Sequence, residues 1–234
     1  MAESLSRTAC PSTADRTNEE RRNPVTAIDT SSIDALDTSN FAKHSSTNPL
    51  QRKLIDRFHH VVTGKIGELA PANFLDAGCG EGFVSNLLVE RFPGLEVSAF
   101  DFNPSSVAHA QERNPGVDCR VASIYDAPWK DNSFDAVGCF EVMEHLYEPT
   151  RALQELARVS RQYLVLSVPH EPWFCFSNAA RGKNLDIRPR GSDPDHRQFW
   201  TRGAFGRFVD QVADVEWLGG SLPWTICVAR VRKP

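Results

Sequence analysis

Short apolar runs alternate with segments of helical periodicity between residues 73 and 170. The runs have the length of buried strands, whereas Leu153, Leu156 and Val159 recur at helical spacing. Strand and helix units in alternation predict a parallel sheet, because each parallel connection needs a crossover long enough for a helix. The predicted strands of this region are residues 74–75, 97–100, 119–122, 136–140 and 163–168.

The C-terminal part of the chain departs from this alternation. Thr201 is a good N-cap, and apolar residues follow it at helical spacing. Residues 215–218 and 224–231 read as two strands joined by a short turn, which predicts a hairpin. The sequence therefore predicts an α/β fold with a seven-stranded, mostly parallel sheet, helices on both faces and an antiparallel last strand.

Residues 1–45 are rich in Ser, Thr, Asn, Asp and Arg and have almost no apolar periodicity. Such a segment buries too little apolar surface to offset the entropy of ordering, so we expect a disordered tail. Asn48 followed by Pro49 is typical of the start of a helix. One folded domain is therefore expected over residues 46–234.

Composition excludes several classes of protein. The net charge is -4, which gives no basic surface for sequence-independent binding to nucleic acid. The six cysteines have no short paired spacing, and this favours reduced thiols over disulfides or a zinc site. No apolar run is close to the length of a membrane span, which needs about eighteen residues. The N-terminus also lacks the apolar core of a signal peptide. We expect a soluble cytoplasmic protein without membrane insertion. The sequence does not predict its oligomeric state.

A glycine-rich turn, Phe-Leu-Asp-Ala-Gly-Cys-Gly-Glu-Gly, occupies residues 74–82 between a predicted strand and a predicted helix. Gly78 and Gly80 allow a tight turn and let a ligand approach the main chain. Asp101 ends the next strand, where a carboxylate can accept both hydroxyls of a ribose. Asp76 argues against a dinucleotide, because a carboxylate is unfavourable beside a diphosphate and favourable beside a cationic ligand.

Together with Phe102, residues 122–124 and residues 132–135, this turn resembles the successive motifs of class I S-adenosylmethionine (SAM)-dependent methyltransferases, which have a Rossmann-like fold. The resemblance implies methionine contacts near the turn, ribose contacts at the second strand and adenine contacts beyond it. Many members carry Asp where Ser123 stands, so this chain departs from the pattern there. The implied cofactor residues are Asp76, Gly78, Gly80, Asp101, Phe102, Ser123, Ile124 and Phe140.

A second polar segment, Glu141-Val-Met-Glu144-His145, follows the strand that ends at Phe140. If it opens a helix, the three polar residues share one face at the carboxyl end of the sheet. Two acids can simply favour the positive end of a helix, with the imidazole in a structural hydrogen bond. Alternatively, carboxylates and imidazole suit a divalent ion such as Mg2+ or Mn2+, with His196 as a further ligand.

This segment resembles the E-x-x-E-H motif of ubiquinone-pathway O-methyltransferases. It also resembles that of Hen-type small-RNA 3'-terminal 2'-O-methyltransferases, and only the Hen-type enzymes have a later Asp-His as well. The resemblance implies Glu141, Glu144, His145 and His196 as metal ligands. A metal ion would lower the pKa of an acceptor hydroxyl and hold its oxygen in line with the methyl carbon. Without a metal, His145 or His170 is the candidate general base.

The segment from residue 178 to residue 202 is rich in basic residues. It reads either as a solvated loop or as a lid that recognises an anionic acceptor or an RNA end. We therefore expect a SAM-dependent O-methyltransferase of a small-molecule or lipid-linked acceptor. One alternative is methylation of an RNA 3'-terminal ribose, which the acidic net charge disfavours. Others are a non-catalytic SAM-binding protein and, ranked last, a NAD oxidoreductase. The basic side chains of the loop are Arg181, Lys183, Arg188, Arg190, Arg197 and Arg202.

Overall fold

The computed structural model describes residues 48–180, 182, 184–187 and 189–233. The disordered tail predicted for residues 1–45 lies outside the described residues. Within them, the helices are α1 (Pro49–Leu69), α2 (Phe83–Arg91), α3 (Pro104–Arg113), α4 (Pro149–Val159), α5 (Trp173–Ala180) and α6 (Arg202–Val209). The strands are β1 (Asn73–Ala77), β2 (Glu96–Asp101), β3 (Asp118–Val121), β4 (Phe134–Phe140), β5 (Ser160–Pro169), β6 (Ala213–Ser221) and β7 (Trp224–Val231).

The seven strands form one sheet in the order β3-β2-β1-β4-β5-β7-β6. Strands β1 to β5 pair in parallel, and β7 runs antiparallel to both of its neighbours, β5 and β6. The predicted mostly parallel sheet with an antiparallel last strand is therefore confirmed. Because β1 lies between β2 and β4, the carboxyl ends of these three strands meet at the centre of one sheet edge, where open α/β folds bind ligands.

Apolar side chains fill both faces of this sheet, as the continuous apolar character of the strands predicts. On one face, α1, α2 and α3 contribute Phe58, Leu88 and Ala110 to a buried cluster. On the other face, α4 and α6 contribute Leu153 and Phe205 to a second cluster. The layered arrangement of helix, sheet and helix fixes the strand ends that carry the candidate site.

Side-chain caps fix the start of two helices where the sequence places them. The Asn48 side chain accepts hydrogen bonds from the backbone N–H groups of Leu50 and Gln51, and Pro49 occupies the first turn of α1. The Thr201 hydroxyl accepts a hydrogen bond from the Ala204 N–H at 3.3 Å. Both caps satisfy N–H groups that have no partner within the helix, as predicted.

The segment after β4 does not form the helix that would align its acids on one face. A 3-10 helix covers only Met143–His145, and Glu141 lies outside it with a left-handed φ of 58°. The interpretation of Glu141, Glu144 and His145 as one helical face is therefore wrong, since their spacing is not that of an α-helix here. Instead, the chain turns sharply at Glu141, and Glu144 lies in the 3-10 helix that follows.

The structure tests two expectations, reduced cysteines and no membrane-spanning helix, over the described residues alone. The described cysteines, which exclude Cys10, are all free, and burial raises the pKa of Cys227 to about 12. Across the described ranges, no helix combines the length and the apolar character needed to cross a bilayer.

Candidate active site

The glycine turn after β1 is tied to the end of β2 by main-chain hydrogen bonds. The N–H groups of Gly78 and Cys79 both donate to the Phe100 carbonyl, at 2.8 and 3.0 Å. Gly78 and Gly80 have φ values of 74° and 53°, which L side chains adopt only under strain. The turn therefore has a defined shape that depends on glycine.

Asp101, at the end of β2, fastens the same turn through its side chain. One carboxylate oxygen accepts from the Gly80 N–H at 3.0 Å, and the other accepts from the Asn103 N–H at 2.9 Å. Burial raises the pKa of Asp101, which the hydrogen bonds from Asn103 and Gly80 partly offset. Each carboxylate oxygen can accept two hydrogen bonds, so the group retains capacity for two ligand hydroxyls.

Asp76 lies beneath the turn and is 2% exposed. The Ser85 hydroxyl on α2 donates to its carboxylate at 2.6 Å. Burial raises the pKa of Asp76 to about 6; the hydrogen bond from Ser85 lowers it, and the nearby negative charge of Asp101 raises it. At neutral pH this buried site therefore holds a destabilised negative charge that a cationic ligand would favour.

The residues predicted to surround the adenine, Phe102, Ser123 and Ile124, and the further cofactor residue Phe140 follow or end neighbouring strands. Phe102 follows Asp101 and is 54% exposed. Ser123 forms a turn after β3, in which its hydroxyl accepts from the Tyr125 N–H at 3.2 Å, while Ile124 is buried in the core. Phe140 ends β4, and its ring packs edge to face against Phe58 of α1, with centroids 6.5 Å apart.

Glu144, His145 and His196 form a compact group of potential metal ligands. One ligand atom from each residue lies within 4.8 Å of the others. Glu144 is 1% exposed and His196 is 8% exposed, and the two imidazole rings lie 5.0 Å apart. One carboxylate and two imidazoles form a donor set that suits divalent transition metals.

Backbone contacts bring His196 to the group although it lies far away in sequence. The N–H groups of Arg197 and Gln198 both donate to the Glu144 carbonyl, at 2.7 and 2.9 Å. The His145 Nδ1 atom lies 3.2 Å from the Asp195 carbonyl oxygen. Because two segments hold each other at this point, the group is a built feature of the fold.

Glu141, the fourth implied ligand, is not among the residues that lie within 4.8 Å of one another. Its carboxylate accepts a hydrogen bond from the Ser167 hydroxyl at 3.0 Å, and its N–H donates to the Ser167 carbonyl at 3.2 Å. Glu141 therefore bridges the ends of β4 and β5.

His170 follows β5, and its N–H donates to the Pro223 carbonyl at 2.8 Å. Burial lowers the pKa of His170, the positive charge of Arg202 lowers it further, and Glu171 opposes both effects. The imidazole is consequently neutral at pH 7 and able to accept a proton. The structure thus leaves His170 chemically suited to the predicted role of general base.

Three contacts of the site have no signal in the sequence. Ser85 supports Asp76, the Val142 side chain fills the space above Gly78, and the Arg197 guanidinium lies 3.7 Å from the centre of the Tyr147 ring. Each joins residues whose spacing follows no local period. Such pairs become visible only when the strand order is known.

The parallel sheet, the glycine turn after β1 and the carboxylate at the end of β2 define a Rossmann-like nucleotide-binding domain. Residues 75–165 match the family described as "Methyltransferase domain". This part of the chain is a class I SAM-dependent methyltransferase domain, as the motif resemblance implies.

Curated relatives support this assignment over part of their length. A probable S-adenosylmethionine-dependent methyltransferase of Mycobacterium tuberculosis is 34% identical over 136 residues, which cover 57% of this chain and 47% of the relative. A ubiquinone biosynthesis O-methyltransferase of Xanthomonas oryzae pv. oryzae is 36% identical over 134 residues, which cover 53% of this chain and 55% of that protein. The chain thus spans about half the length of these relatives.

Solved structures share the fold. A magnesium protoporphyrin IX methyltransferase from Synechocystis, solved with bound SAH, has a TM-score of 0.64 at 18% identity over 85% of this chain and 97% of that one. A [4+2]-cyclase has a TM-score of 0.60 at 15% identity over 76% of this chain and 82% of that one. At such identities the likeness shows the fold alone, and the cyclase illustrates that one fold carries different chemistry.

Proposed function

We propose that this chain transfers the methyl group of SAM to a hydroxyl oxygen of a small-molecule or lipid-linked acceptor. The observation that carries the SAM part is Asp101, which fastens the glycine turn and retains acceptor capacity for the two ribose hydroxyls. Gly78 and Gly80 let the methionine part approach the main chain. The name of the Xanthomonas relative, an O-methyltransferase, supports oxygen as the acceptor atom.

The remaining cofactor contacts are inferred from the positions of the predicted residues in the fold. Phe102 offers an exposed ring at the end of β2, and Ser123 and Ile124 lie in the turn after β3, where the adenine would bind. Asp76 is buried, so its role is to attract the ammonium and sulfonium charges of SAM through space. Phe140, which ends β4, would complete the cofactor contacts.

A divalent transition-metal ion such as Mn2+ fits the donor set of Glu144, His145 and His196. The buried carboxylate of Glu144, close to two imidazoles, would gain from a bound cation, because a charged group loses its hydration on burial. Bound there, the ion would supply Lewis acidity toward an acceptor hydroxyl. Glu141 would position β4 against β5 through its hydrogen bonds with Ser167. His170, or His145 in the absence of metal, would accept the hydroxyl proton.

Calorimetric titration of SAM into metal-stripped protein tests the proposal, repeated with Mn2+ and with Glu144→Gln. Glu148→Gln is the matched control, because Glu148 lies on the exposed surface with a side chain 62% exposed. We expect SAM to bind in every case and Mn2+ to bind all proteins except Glu144→Gln. Absence of SAM binding would refute the proposed function, and equal Mn2+ binding by all variants would refute the metal site.

Methylation of an RNA 3'-terminal ribose is a second candidate, favoured by the position of His196 beside Glu144 and His145. The Hen-type resemblance implies this set, while the net charge of -4 weighs against RNA. Methyl transfer from labelled SAM to RNA, compared with the same RNA ending in 2'-deoxyribose, tests this candidate. Equal labelling of both oligonucleotides, or labelling of neither, would exclude it.

A further inference from the structure

Arg197 is restrained at the surface by an aromatic contact. Its guanidinium carbon lies 3.7 Å from the centre of the Tyr147 ring, and Tyr147 is 75% exposed. A cation above a tyrosine face is attracted by the negative face of the ring. This contact holds in place a side chain that would otherwise sample many rotamers.

Arg197 differs from the other cations that lie over aromatic rings in the described ranges. Each of those also donates a hydrogen bond to a carboxylate, hydroxyl or carbonyl of the protein, namely Lys65, Arg91, Arg113, Arg120, Arg151 and Arg230. The Arg197 guanidinium makes neither a hydrogen bond nor an ion pair with any described residue. Its donors are therefore available to a ligand.

The backbone beneath Arg197 is fixed relative to the candidate metal ligands. The Arg197 N–H donates to the Glu144 carbonyl at 2.7 Å, and the next residue, Gln198, donates through its side chain to the Leu146 carbonyl at 3.0 Å. Arg197 directly follows His196, and Tyr147 lies two residues after His145. A positive charge that none of the described residues neutralises is thus held beside the place where the acceptor hydroxyl would react.

We propose that Arg197 binds a carboxylate or phosphate group of the methyl acceptor and that Tyr147 positions the guanidinium. This inference rests on the proposed function and narrows its substrate class to hydroxyl compounds that carry an oxyanion. A guanidinium suits this task because its planar array of donors matches two oxygens of a carboxylate or phosphate at once.

The test measures anion binding by the full chain without an identified acceptor. The protein is saturated with S-adenosylhomocysteine (SAH), the product of methyl transfer, in the presence of EDTA so that no metal contributes. Benzoate and inorganic phosphate are titrated separately at fixed pH and ionic strength, and binding is followed by proton and phosphorus NMR. We expect Arg197→Gln to weaken binding of the preferred anion by about fivefold or more, and Tyr147→Ala to weaken it less. The anion whose affinity falls more in Arg197→Gln identifies the group that Arg197 recognises.

Two controls separate this effect from general changes. Tyr147→Phe keeps the ring and should retain anion binding, and Arg57→Gln removes another exposed arginine, on α1, and should have no effect. Saturable anion binding of equal strength in the unmodified protein and in Arg197→Gln would overturn the inference, as would the absence of saturable binding. Failure of the unmodified chain to bind SAH would instead overturn the proposed function.

Discussion

The side chain of Val142 lies so close to Gly78 that a Cβ atom on residue 78 would come within 2.6 Å of a Val142 methyl group. Val142 belongs to the segment between β4 and the 3-10 helix, whereas Gly78 belongs to the turn after β1. The two halves of the candidate site therefore touch at this point. A side chain at residue 78 would therefore press on Val142, which lies two residues before Glu144.

Gly78→Ala should impair both SAM binding and stability. Alanine would adopt φ near 74° with strain and would displace Val142, so we expect a loss of about 1–3 kcal/mol in the free energy of unfolding. Chemical denaturation and SAM titration measure the two effects. Gly94→Ala is the control, because an added Cβ there meets nothing within 4 Å. A fully stable Gly78→Ala protein with normal SAM affinity would contradict the contact.

Asp76→Asn should stabilise the SAM-free protein and weaken SAM binding. The pKa of Asp76 in the folded chain is about 6, above its ordinary value of 3.8, so ionisation opposes folding. This penalty is absent below about pH 4, grows as the pH rises to 6, and reaches about 3 kcal/mol above pH 7. Asparagine removes the charge but can keep the bond from Ser85. Unfolding free energies measured between pH 4 and 8 should therefore diverge only toward high pH.

Asp101→Asn should lower SAM affinity at least about tenfold. The amide group of asparagine must face either the Gly80 N–H or the Asn103 N–H, so one of the two hydrogen bonds that fasten the turn is lost. The ribose also loses a charged acceptor. Asp118→Asn, at an exposed ion pair with Arg120, serves as the control. Comparable SAM affinities for the two variants would count against the ribose assignment.

His170→Gln should remove the acidic limb of the pH–rate profile. Burial and Arg202 keep the pKa of His170 below 6.5, so the neutral base predominates above that pH and the rate should be flat between pH 7 and 8. The substitution should lower the plateau about a hundredfold, in the range typical of a general base. An unchanged limb in His170→Gln would assign the titration to another group.

Features with a local cause could be predicted from the sequence. Asn48 and Thr201 cap helices because their side chains reach N–H groups within three residues, and the apolar runs become strands because both faces of the sheet are covered. The glycine turn was likewise predicted from its spacing, with Asp101 beside it. The caps depend on near neighbours in the sequence, whereas the strands and the glycine turn are recognisable because their patterns of residue types are distinctive.

The geometry around Glu141 could not be predicted in this way. An acidic pair and a histidine at helical spacing favour a helix, but Glu141 is held by Ser167 on the next strand and adopts a left-handed conformation. Tertiary contacts decided the local structure there. The contact between Arg197 and Tyr147 is equally non-local, since it depends on two N–H groups meeting one carbonyl at Glu144.

The hydrogen bonds to that shared carbonyl are separate from those that shape the glycine turn. The cofactor half joins Gly80 to Asp101 within one strand–turn–helix–strand unit, whereas the acceptor half is closed by a segment about fifty residues away that docks on Glu144. Local opening of residues 193–198 would leave the glycine turn intact, because the two halves depend on different hydrogen bonds. Replacement of residues 193–198 would thus change the proposed acceptor contacts while leaving the hydrogen bonds of the glycine turn in place.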